Sequence, residues 1–134
     1  MAEKRFSPSL ANAALPLVRQ IVTDVVLHQG RLADLVTAYQ TKKREPDASQ
    51  VALNETRMEM ATVSAQRDAC VAELVDLGLE VQDAATGLVD FPGELDGDRV
   101  FFCWRLGEER VEYFHGETEG FSGRRPIPVP CQVG

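Results

Sequence analysis

The chain predicts an α+β fold, with a long, coiled-coil-like antiparallel two-helix hairpin over about residues 8–79 and a small antiparallel sheet of three to four strands over about 79–126. Two observations carry that prediction. As far as Gly78, apolar residues recur at steps of three and four, the period of an amphipathic helix. Beyond it come short β-branched and aromatic runs separated by Gly, Pro and Asp, and this stretch holds the single Trp, most of the Phe and more than half of the Gly. Residues 1–126 read as a single domain, and 127–134 as an extended Pro-rich tail.

Ser7 followed by Pro8 starts the first helix: the hydroxyl can accept from orphan amides, and Pro is tolerated at the first helical position. Its seam is traced through Leu10, Ala14, Leu17, Ile21, Val25, His28, Leu32, Leu35 and Tyr39, to about residue 43. Pro16 leaves the Asn12 carbonyl without its partner, so a kink or broken first turn is expected there. A turn at Glu45-Pro46 leads into helix two, where Asp47 and Gln50 resemble a capping box. The inward face of helix two is traced through Val51, Asn54, Met58, Ala61, Ala65, Ala69, Ala72, Val75 and Leu79, with Gly78 as its C-terminal stop. Leu17, Val18, Ile21, Val22, Val25, Val26 and Leu27 cover more than one stripe, which points to burial against helix two and against either the sheet or a second copy.

The candidate strands are 79–83, 88–91, 99–105 and 110–115. With a two-residue turn at Gly107-Glu108, Trp104 would face Val111, Phe102 would face Tyr113 and Val100 would face His115. That register puts Cys103 and His115 on opposite faces; a longer turn would change it.

Composition narrows the function classes. Residues 1–79 hold nine Lys or Arg against ten Asp or Glu, and residues 80–134 hold five against eleven, so almost all of the net charge of −7 lies in the second part. Phosphate-driven affinity needs a basic stripe, and Lys42-Lys43-Arg44 and Arg124-Arg125 are too short for one, so nucleic acid is not expected as a partner. No signal peptide and no run of about eighteen apolar residues is evident, so a cytoplasmic protein without a membrane partner is expected. Cys70, Cys103 and Cys131 are odd in number and widely spaced, which suggests reduced thiols.

Five segments in order, Asn12 to Val18, Gly87 to Pro92, Cys103 to Glu108, Phe114-His115 and Gly120 to Pro126, resemble the bacterial family known as domain of unknown function 2203, over Phe6 to Pro126. The resemblance implies kinship and brings no activity, ligand or catalytic residue. The family typically has Trp-His where this chain has Phe114-His115.

Candidate chemistry lies in the sheet region. Cys103, Glu108 and His115 are metal-competent, with a divalent metal as the only cofactor suggested. Arg105, Arg124 and Arg125, with Gly120-x-x-Gly123 ahead of the arginine pair, suggest a small anionic ligand, and Arg105, Glu108, His115 and Arg124 are the ligand-binding candidates. Each has a structural alternative: Cys103 as a buried hydrophobe, His115 as a hydrogen-bonded rim residue, and the arginines paired with Asp90, Glu108 and Glu112. Asp24 and His28, one helical turn apart, read as a polar pair fixing helix register. The leading function is a binding or protein-interaction module that forms a homodimer through its helices; the alternative is a small metal-dependent hydrolase with its site on the sheet.

Overall fold

A computed structural model of the chain describes residues 5–128. Helix α1 (Pro8–Lys43) and helix α2 (Gln50–Asp76) form the hairpin. Strands β1 (Glu80–Asp83), β2 (Leu88–Leu95), β3 (Asp98–Arg105), β4 (Tyr113–Gly116) and β5 (Arg125–Pro126) then form one antiparallel sheet in sequential order. The predicted α+β architecture is the observed one, with one strand more. Most of the Pro-rich tail lies outside the described residues.

Ser7 caps α1 as expected, its Oγ accepting from Leu10 N at 3.1 Å. The cap of α2 is Ser49, two residues beyond the expected Asp47. At the far end of α2, Gly78 (φ 98°) reverses the chain, while Gly78 N donates to Val75 O and Leu79 N donates to Leu74 O. This Schellman closure brings Leu74 and Leu79 together in the core. Helix α1 continues through Pro16 without a break.

Both helical seams differ from the sequence reading. The core stripe of α1 is Ala11, Leu15, Val18, Ile21, Val22 and Val25, whereas Leu10 and Leu17 are 57% and 50% exposed. On α2 the buried residues are Leu53, Thr56, Val63 and Leu74, and the predicted inward residues Val51, Met58 and Val75 face solvent. The cause is a second row of the same period: Leu53, Thr56, Met60, Val63, Arg67, Cys70 and Leu74 advance by three and four just as the Ala-rich row does. Periodicity locates both rows without choosing between them. Likewise His28 does not form a satisfied register-fixing pair, since its Nδ1 is buried with no hydrogen-bond partner.

One face of the sheet meets the helices. Val89, Phe91, Leu95, Val100, Phe102 and Trp104 share a core with Leu15, Val18, Val22 and Leu74. An 18-residue window of α1 reaches a mean hydropathy of 1.4, so α1 is long and apolar enough by composition to cross a membrane, contrary to the sequence expectation. Its buried residues, about a third of that window, belong to this shared core, while Leu17 and Leu27 stay exposed.

Two connections set the registers. Between β2 and β3, Asp96 (φ 52°) and Gly97 (φ 87°) form a two-residue left-handed turn, so β2 runs through Pro92 to Leu95 where a loop was expected. Between β3 and β4 there is no two-residue turn. Seven residues, 106–112, separate the strands, because Val111 pairs with the side chain of Asn12 instead of with Trp104. Asn12 Oδ1 accepts from Val111 N at 2.8 Å and Asn12 Nδ2 donates to Val111 O at 3.1 Å, as a neighbouring strand would. The register becomes Phe101↔His115, Phe102↔Phe114 and Cys103↔Tyr113, one residue from the expected one.

Candidate functional site

That one-residue change moves His115 to the other side of the sheet. Cys103 and His115 now share the face turned away from the helices, and Asp90 joins them as the direct partner of Cys103 across β2 and β3. Although this face carries none of the main helical core, Asp90, Cys103 and His115 are only 2%, 1% and 3% exposed. Their donor atoms lie within 4.8 Å of one another, the one such grouping of His, Cys, Asp and Glu among the described residues.

Hydrogen bonds fix the state of the histidine. Its Nδ1 is 2.9 Å from Gly116 O, and a carbonyl only accepts, so Nδ1 carries a proton. Nε2 faces both carboxylate oxygens of Asp90 at 3.0 and 3.1 Å, so one further proton is held between imidazole and carboxylate. Burial pushes the Asp90 carboxyl up, opposed by His115, by the Cys103 thiol and by Gln82. Burial, reinforced by the charge of Asp90, pushes the Cys103 thiol up to about 11. Cys103 is therefore a protonated thiol at neutral pH, and neither imidazole nitrogen is free to serve it as a base.

Beside the trio lies Arg124, whose guanidinium faces the thiol and makes an ion pair with Glu108 at 2.8 Å. It stands 4.1 Å from the ring centre of Tyr113 and 4.2 Å from that of Phe121. Glu108 also accepts from Arg105 N at 2.8 Å. The segment 117–124 folds over this edge, anchored by Glu119, which accepts from Gly116 N at 2.8 Å and pairs with Arg125 at 3.0 Å. Between that segment and the sheet lies a cleft of about 410 Å³ bordered by Glu80, Gln82, Phe101, Phe121 and the trio itself.

Of the sequence-predicted residues, Cys103 and His115 do come together, against the expectation that they face apart. Glu108 is not with them; it is committed to Arg124, as the ion-pair reading expected. Arg105 stacks on Phe121 at 5.1 Å. Asp90, expected as an arginine partner, is instead the third member of the cluster. Its signal was a lone carboxylate inside Leu88-Val89-Asp90-Phe91, where alternation places it opposite Val89 and Phe91.

Fold and site together define a helical hairpin mounted on a small sheet whose outer face buries an Asp–Cys–His cluster beside a cleft. The chain belongs to the family described as "Uncharacterized conserved protein (DUF2203)", whose model matches residues 4–127. No curated protein and no solved structure matches it.

Proposed function

We propose that the protein is a binding module whose ligand sits on the outer face of the sheet, over Asp90, Cys103 and His115. The carrying observation is the burial of these three polar groups next to a cleft instead of in the apolar core. Desolvating a carboxylate and an imidazole costs several kcal/mol per ion, and apolar side chains would close the same surface at lower cost, so the cluster fits a site better than a fastener. A nucleophilic role for Cys103 lacks support, because its thiol is protonated and both nitrogens of His115 are engaged.

We read the module as a cytoplasmic homodimer. Free thiols at Cys70 and Cys103 support the compartment. The outward row of α2, with Val51 68%, Met58 71% and Val75 56% exposed, supports pairing with the same row of a second copy, since its intervening alanines let two helices approach closely. The test of the binding reading is nuclear magnetic resonance mapping with a library of small molecules and metal salts. Perturbations centred on Asp90, Phe101, Cys103 and His115 support it, and perturbations confined to the helices overturn it.

A further inference from the structure

Resting on that reading of the outer face, we propose that Asp90, Cys103 and His115 coordinate one divalent transition-metal ion of borderline softness, of the zinc type. One coordination position would be left toward the cleft.

The donor set selects the metal. A thiolate sulfur and an imidazole nitrogen beside one carboxylate suit Zn²⁺ or Co²⁺, whereas Mg²⁺ and Ca²⁺ want oxygen ligands throughout. Three protein ligands with a fourth place left over is the pattern of zinc sites that take an exogenous ligand, while structural sites are closed by four. The opening faces the cleft, where Glu80 and Gln82 stand at the rim.

Charge balance fits the same ion. Thiolate, carboxylate and neutral imidazole together carry two negative charges, and the protons they lose on binding leave to solvent, so a divalent cation held by the trio leaves no uncompensated buried charge. The imidazole is also already oriented. Its Nδ1–H is held by Gly116 O at 2.9 Å, the outer hydrogen bond that zinc-bound histidines commonly make, leaving Nε2 as the ligand atom.

The experiment is calorimetric titration of the full chain, first stripped with chelator, with Zn²⁺ and Co²⁺. It is run in two buffers of different ionisation enthalpy and followed in parallel by amide resonances. The expected result is one equivalent bound, about two protons released and a thiolate-to-cobalt charge-transfer band. Cys103→Ala should weaken binding by about 100-fold or more and abolish the band, with its folding checked by near-ultraviolet circular dichroism. Absence of binding, or binding that Cys103→Ala leaves intact, overturns the metal. If metal fails while small organic molecules shift Glu80, Gln82, Phe101 and Phe121, the metal falls and the binding module stands. If neither perturbs this face, both fall.

Discussion

His115 and Asp90 each neutralise what burial makes costly in the other, so neither can be removed alone without penalty. Replacing His115 with Ala leaves a buried carboxylate without its partner and should cost about 3 to 5 kcal/mol in chemical denaturation. The double variant Asp90→Ala/His115→Ala should cost clearly less than the sum of the two single changes, because it removes both members of the pair. Cys103 reports the same electrostatics. Its pKa in the fold is raised, so the thiol stays protonated through neutral pH, and the stability linked to it is lost as pH rises from the ordinary thiol value toward about 11. Metal-free protein should therefore alkylate at Cys103 far more slowly than a free thiol. Asp90→Asn, which removes the neighbouring negative charge, should bring the titration of Cys103 down, as read from the pH dependence of the alkylation rate.

Elements follow from local signals except where two segments distant in sequence meet. The helix cap at Ser7, the closure at Gly78 and the strand 98–105 are written in a few neighbouring residues, and the structure places them within a residue or so of expectation. The β3–β4 register is not local. It depends on Asn12, ninety-nine positions away from Val111, offering an amide in place of a strand, and no pattern in the connection announces this. Asn12→Ala should cost about 1 to 3 kcal/mol by leaving backbone groups of Val111 unpaired, and should disturb His115 resonances more than those of α2. The segment 117–124 carries a separate pH signature. Gly116 N–H, and after it Arg125, hold the Glu119 carboxyl below the usual range, so its anchoring is present above the unfolded value and is lost as pH falls through the depressed one. Amide protection factors across 117–124 should therefore drop in acid before those of β2 and β3.

For the whole molecule, architecture was legible because a helical period giving way to β-rich runs needs no knowledge of which face is inward. The assignment of faces was not, since α2 carries two rows of equal spacing and only the fold decides which meets α1. The site was half legible for the same reason: its residue types drew notice at Cys103 and His115, while their convergence on Asp90 followed from the register. The homodimer proposed above would pair through the outward row of α2. Light scattering should give twice the chain mass, and Met58→Asp, at a position 71% exposed, should give the single-chain mass with an unchanged circular dichroism spectrum. The central claim, a metal-binding cluster on the outer face, is tested most directly by a crystal structure of the zinc-loaded protein with anomalous data collected across the zinc edge. The account predicts one peak per chain between the Asp90 carboxylate, Cys103 Sγ and His115 Nε2, with density at a fourth position toward the cleft. An empty cluster with zinc at exposed carboxylates elsewhere would contradict it.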